Sequence, residues 1–169
     1  MKRMLLPSFL FILSFANMHA QKTPAPEDVW RQIFLPENKA QMSAVAWENK
    51  VYFAGGYRGE TFLATINIYN ITTGTWTEET LSEARSFPTA IAAEGKIFFA
   101  GGVTQTIPYN DFSDRLDIYD VEQDEWTYLF LSEPKNTLNQ AVHVGNKIMF
   151  PGGGTNGFML YSSWKIRLK

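Results

Sequence analysis

The chain has 169 residues, a formal net charge of -2, 15% aromatic residues and no cysteine. That balance suits one globular, β-rich domain and argues against disorder. Lys22, Lys39, Lys50, Lys96, Lys135 and Lys147 stand singly rather than in a basic stripe, which removes nucleic acid as a partner, and the missing cysteine removes thiol nucleophiles and disulfide staples.

Residues 1–20 read as a secretory signal peptide. Lys2 and Arg3 precede an apolar stretch from Met4 to Ala16, interrupted by Pro7, Ser8 and Ser14, and Ala20 is the expected cleavage position. The apolar core is too short to span a bilayer, so no transmembrane segment is expected. The export signal predicts a secreted or periplasmic protein. Residues 21–29 form a polar, proline-bearing linker, and residues 30–169 carry a repeat.

The repeat begins with a leading segment, 30–35, that matches the end of later units: Trp30 and Leu35 correspond to Trp76 and Leu81 and to Trp126 and Leu131. AVAWENKVYFAGG, ending at Gly55 and Gly56, then returns as AIAAEGKIFFAGG, ending at Gly101 and Gly102, and as AVHVGNKIMFPGG, ending at Gly152 and Gly153. The spacings are 46 and 51 residues. Between glycine pair and tryptophan lies a short stretch ending in tyrosine: TINIYN to Tyr69, RLDIYD to Tyr119 and GFMLYS to Tyr161, the last followed by Trp164. Each unit reads as four short strands. Glu94 and Gly95 make a tight hairpin connection in the middle unit, and Thr72 to Thr75 and Glu122 to Glu125 are polar turns before the tryptophan strand. The units are expected at about 42–81, 88–131 and 139–168. Such a unit cannot bury both faces alone and must stack on its neighbours.

The segment from Ala84 to Trp126, ARSFPTAIAAEGKIFFAGG through SDRLDIYDVEQDEW, resembles the kelch repeat: a Gly-Gly pair after a β run, then a tyrosine, then a tryptophan seven residues later. The fold class implied is all-β, a partial kelch-type β-propeller of about three four-stranded antiparallel blades behind a signal peptide. Trp-Asp and Gly-His dipeptides, the marks of WD-repeat propellers, do not occur. Known kelch propellers usually close with six or seven blades. Three blades form an arc with apolar faces at its ends, which predicts a truncated reading frame, a partner, or self-association, in its sharpest form two copies closing one six-bladed ring.

The sequence offers little for catalysis. Beyond the signal peptide His143 is the only histidine; it takes the place of Ala46 and Ala92 on the innermost strand, and no multi-histidine metal site can be assembled. A copper oxidase on this scaffold is not supported, and no cofactor or metal is assigned. Loops of unequal length follow the glycine pairs, at Tyr57 to Leu63, Val103 to Asp114 and Gly154 to Asn156, and share a side with the connections between blades. Tyr109 and Phe112 are candidates to stack on a sugar or peptide, with Asp111 and Asp114 accepting hydrogen bonds. Asn110, Asp111, Ser113 and Asp114 carry oxygens suited to calcium but lack the regular spacing of an EF-hand loop. Arg58, Arg85 and Arg115 are placed on the same rim, where three guanidinium groups could hold a carboxylate, with a structural role, tying the connection to a neighbouring blade, as the other reading of Arg85. Glu60, Glu83, Asp111, Asp114 and Glu133 show no spacing that singles out an acid-base pair. The expectation is a non-catalytic binding module for a protein or carbohydrate. The alternative is a fragment of a periplasmic enzyme resembling, in layout, the sialic acid (N-acetylneuraminate) mutarotases.

Overall fold

The computed structural model describes residues 31–105, 111–134, 140–151, 153–155, 158–159 and 163–167. The chain divides into two units, Met1–Phe34 and Leu35–Lys169. The first contributes only residues 31–34 to the description, and these carry no regular structure. The expected signal peptide, linker and Trp30 lie outside the described residues. The leading segment is not a strand over 31–35. An outermost strand needs an inner one to pair with, and the first sheet already has four strands of its own.

That sheet comprises β1 (Ser43–Trp47), β2 (Lys50–Ala54), β5 (Thr65–Asn70) and β6 (Thr75–Thr80), antiparallel in the order β1-β2-β5-β6, with a small hairpin of β3 (Tyr57–Arg58) and β4 (Thr61–Phe62) between β2 and β5. The second blade repeats the plan with β7 (Thr89–Ala93), β8 (Lys96–Ala100), β11 (Arg115–Asp120) and β12 (Glu125–Phe130), and with hairpin β9 (Val103–Gln105) and β10 (Asp111–Phe112). In the third, β13 (Val142–Val144), β14 (Lys147–Pro151) and β17 (Ser163–Arg167) form three described strands, and β15 (Gly154–Thr155) and β16 (Phe158–Met159) form the hairpin.

The turns follow their chemistry. Glu94 and Gly95 both adopt positive φ, as a two-residue hairpin turn requires. Asn70 Oδ1 accepts hydrogen bonds from the Thr72 and Thr73 amides, and Asp120 Oδ1 does the same for Glu122 and Gln123, which closes the polar turns before both tryptophan strands.

The last blade departs from the expected plan. Trp164 does not mark its fourth strand. Trp164 pairs with Phe150 on β14, the place held by Asn67 opposite Phe53 and by Asp117 opposite Phe99, so it lies on the third strand. The reason is chain length. If GFMLYS were the third strand, Gly154 to Asn156 alone would have to form the hairpin, whereas the hairpin takes Phe158 and Met159 and the next strand starts at Ser163. Tyr161 lies outside the described residues.

Two apolar clusters hold the blades together. Tyr52, Ala54, Ile66, Ile68 and Leu81 of blade one meet Ile97, Phe99 and Tyr119 of blade two, with Trp126 packed against them. Phe98, Ala100 and Leu116 of blade two meet Ile148 and Phe150 of blade three. Alternate residues of β8 thus serve opposite neighbours, which is how a strand buried on both faces reads as a continuous apolar run. The Trp126 ring stacks on Tyr119 at 4.8 Å between centroids, and the Tyr52 ring lies 6.1 Å from Tyr119 across the junction.

Candidate functional site

The hairpins after the glycine pairs and the connections between blades lie on one edge and are bonded to each other. Tyr57 and Ala40 exchange backbone hydrogen bonds, and Val103 and Ser86 do the same one blade later. The Gly56 amide donates to the Arg85 carbonyl, and the Arg85 amide to the Leu63 carbonyl. The glycine pair makes this possible. Gly55 and Gly56 have φ of +67° and +106°, and a Cβ on either would stand 2.3 Å from the Arg85 carbonyl oxygen or 2.6 Å from that of Ala40.

Beneath the hairpins sits a polar brace repeated in two blades. Arg85 is fully buried; its Nη2 donates to Asp117 Oδ2 at 2.5 Å and to the Phe99 carbonyl at 3.2 Å, and its Nη1 to the Glu83 carbonyl at 3.1 Å. Asp117, 2% exposed, also accepts from the Ser82 amide at 2.7 Å. Glu83 accepts from the Ser113 hydroxyl at 2.5 Å. In the first blade Lys39 Nζ donates to the Phe53 carbonyl at 3.2 Å, the carbonyl equivalent to that of Phe99, and to the Thr65 carbonyl at 3.2 Å. It pairs with Glu37 at 3.3 Å, and Glu37 accepts from the Thr65 hydroxyl at 2.6 Å. Burial pulls the Lys39 ammonium below the usual lysine range against the opposing pull of Glu37. Burial pushes Glu37 up, but the Thr65 hydroxyl, Lys39 and Arg58 together leave it below the usual carboxylate range.

The expected ligand residues fall into three groups. Arg58 is exposed on β3 at the tip of the first hairpin, beside Glu60, and Asp111 is exposed on β10. Phe112 and Asp114 are half-buried, and the Asp114 carbonyl accepts from the Leu131 amide. Tyr109 and Asn110 lie outside the described residues. Two arginines do not join a common rim. Arg85 is spent on Asp117 and has no surface to offer a ligand. Arg115 lies with its guanidinium carbon 4.7 Å from the Tyr128 ring centroid and 4.2 Å from that of Phe130, a cation-π stack on the outer strand. Ser113, a candidate calcium ligand, is buried and bonded to Glu83. His143 is half-buried with Nε2 3.7 Å from a Glu94 carboxylate oxygen. Among the described residues, no group of three or more His, Asp and Glu side chains could hold a metal ion.

The brace has a sequence signal that the glycine and tryptophan marks overshadow: Leu35-Pro36-Glu37-Asn38-Lys39, Leu81-Ser82-Glu83-Ala84-Arg85 and Leu131-Ser132-Glu133-Pro134-Lys135 each place a glutamate two residues before a cation. Lys135 lies outside the described residues.

Four-stranded antiparallel sheets stacked through periodic aromatics, with glycine pairs admitting the connection to the next sheet, define a repeat protein of the propeller type. Two adjacent stretches, 39–80 and 84–129, match the family model of the Kelch motif and together cover more than half of the chain. The chain belongs to the kelch-repeat family, whose repeats serve in general as protein-interaction modules. No match is found among curated proteins. Among the described residues no helix is long and apolar enough to cross a membrane.

Proposed function

We propose that this chain is an exported binding module that recognises a protein partner through the edge formed by its hairpins. The observation that carries the reading is the division of labour on that edge. Buried Lys39 and Arg85 fix the bases of the hairpins, while the exposed residues Arg58, Glu60 and Asp111 project from them with no part in the core. Variable, polar tips on a fixed base are the arrangement in which recognition is separated from folding. A carbohydrate ligand is the second reading, favoured by the neighbouring carboxylate and aromatic ring of Asp111 and Phe112 on β10. The mutarotase-like alternative rests on a likeness of layout, and Arg85, buried against Asp117, is not among the residues that could face its ligand. Export rests on residues 1–20 and predicts a mature chain that starts near Gln21 in a secreted or periplasmic fraction.

A photo-crosslinking residue placed at Arg58 or Asp111, compared with one at Thr72 on the opposite turn, tests the site. Crosslinks to one protein species from the hairpin positions alone support the proposal; equal labelling from Thr72, or none from any position, refutes it. A glycan array with the same protein decides the carbohydrate reading, and N-terminal sequencing of the mature chain decides export.

A further inference from the structure

Blades one and two each end in an outermost strand, β6 and β12, whose far side pairs with no strand among the described residues. The two strands are built differently. In register, Glu78 and Thr80 of β6 lie opposite Asn67 and Thr65, and Tyr128 and Phe130 of β12 lie opposite Asp117 and Arg115. Charge on an outermost strand discourages a further strand from pairing with it. Blade one carries that protection at Glu78, and blade two replaces it with two rings, 51% and 64% exposed. Their exposure is not for want of a neighbour. Alternation places them on the face of Trp126, which packs against blade one, and blade one has all four of its strands.

The backbone of β12 is also presented outward. The Leu131 amide donates to the Asp114 carbonyl, and on the other side of the same strand the Arg115 carbonyl accepts from the Gly101 amide. In an antiparallel ladder the amide and carbonyl of one residue point the same way and alternate along the strand. Those of Trp126, Tyr128 and Phe130 therefore point away from β11. Arg115 reaches over the same place. Its guanidinium carbon lies over both rings, which meet edge to face at 6.0 Å between centroids, and no carboxylate among the described residues pairs with it. Tyrosine, phenylalanine and arginine together are enriched in protein contacts over the rest of a surface.

We propose that the open side of β12 takes an extended segment of a partner protein as a fifth strand, with an acidic side chain of that segment paired to Arg115. The occupant is acidic because the site supplies a cation without a counter-ion. It is extended because the site also offers a row of unpaired amides and carbonyls. Residues two apart in the segment stand opposite Tyr128 and Phe130 on one face, and an acidic one opposite Phe130 falls in line with Arg115. The contact lies on the outer flank of blade two and uses none of the hairpin residues, so binding there and binding at the hairpins are tested separately.

The probe is a fluorescent peptide amide, Thr-Val-Thr-Glu-Thr-Val-Thr, beside the same peptide with lysine for glutamate. Anisotropy titration with the full chain is expected to show the glutamate peptide binding about tenfold or more tighter, the effect of one charge-assisted contact. Arg115→Gln is expected to erase that preference. Tyr128→Glu with Phe130→Thr, which copies blade one, is expected to remove binding with an unchanged circular dichroism spectrum; Phe130→Thr alone replaces the pair should it fail to fold. Amide hydrogen exchange is expected to slow at Trp126, Tyr128 and Phe130 on adding the glutamate peptide, and not at Trp76, Glu78 and Thr80. No binding at high micromolar protein, equal affinity for the two peptides, or binding without slowed exchange on β12 overturns the proposal. Exchange at those amides that slows with protein concentration alone gives the strand to a second copy and overturns it as well.

Discussion

Replacing Arg85 with methionine isolates the contribution of the buried brace. The aliphatic stem is largely preserved while three hydrogen bonds are lost, to Asp117, to the Phe99 carbonyl and to the Glu83 carbonyl. What remains is a carboxylate, 2% exposed, that still accepts from the Ser82 amide but faces no cation. Removing one partner of such a pair costs about 3–5 kcal/mol, because the other charge stays buried and uncompensated. That is a large share of the roughly 5–15 kcal/mol that holds a domain folded. Arg85→Met with Asp117→Asn removes both charges, and blade one shows that the position accepts a neutral amide, since Asn67 is buried at the equivalent place. The double variant is therefore expected to be more stable than Arg85→Met alone, by about 1–3 kcal/mol of coupling. Urea unfolding followed by circular dichroism measures all three. An Arg85→Met cost below about 1 kcal/mol, or a double variant less stable than that single one, would refute the argument that charge compensation governs this site.

Three further outcomes follow from the same packing. Gly56→Ala should lower stability by about 1–3 kcal/mol, because its φ of +106° and the Ala40 carbonyl oxygen, 2.6 Å from where a Cβ would stand, are both hostile to a side chain; thermal unfolding reads the loss. Trp126→Ala, which empties the junction between blades one and two, should cost about 3 kcal/mol, and Trp76→Ala, which contacts Phe53 and Tyr69 of its own blade, no more than about half of that, with urea midpoints deciding the order. Stability should also fall in alkali. Burial, then the hydrogen bond to Asp124, raises the Tyr119 hydroxyl above its ordinary range, and burial, then the charges of Glu48 and Asp124, raises that of Tyr52. A folded value above the unfolded one stabilises fully below about pH 10 and is lost as pH rises beyond it. Urea midpoints measured from neutral pH into alkali should drop there, and Tyr119→Phe should flatten the drop.

Most of the architecture is legible in the residues because its marks answer to local physics. The glycine pairs are needed where the next connection crosses the strand end, the Glu94-Gly95 turn needs positive φ twice, and Trp126 fills the junction between blades one and two. The last blade differs for a physical reason: a tyrosine followed by a tryptophan matches the earlier units in residue type, but only strand register shows that Trp164 lies opposite Phe150 on the third strand. The site is harder to read. Nothing in a linear sequence distinguishes an arginine that reaches solvent at a rim from one that folds under it, and Arg85 is decided by Asp117, 32 residues away. The glutamate and cation pairs at 37 and 39 and at 83 and 85 recur in the sequence, yet their meaning depends on carbonyls that only the sheet brings within reach.

The brace carries an engineering consequence. Since Lys39 and Arg85 anchor each connection to a strand carbonyl below the hairpin, the orientation of the protruding turn is set from beneath rather than by its own residues. The tip at Gly59 and Glu60 is thereby a graft point: foreign peptide inserted there should inherit a fixed direction of display while the stacked sheets remain unaware of the exchange.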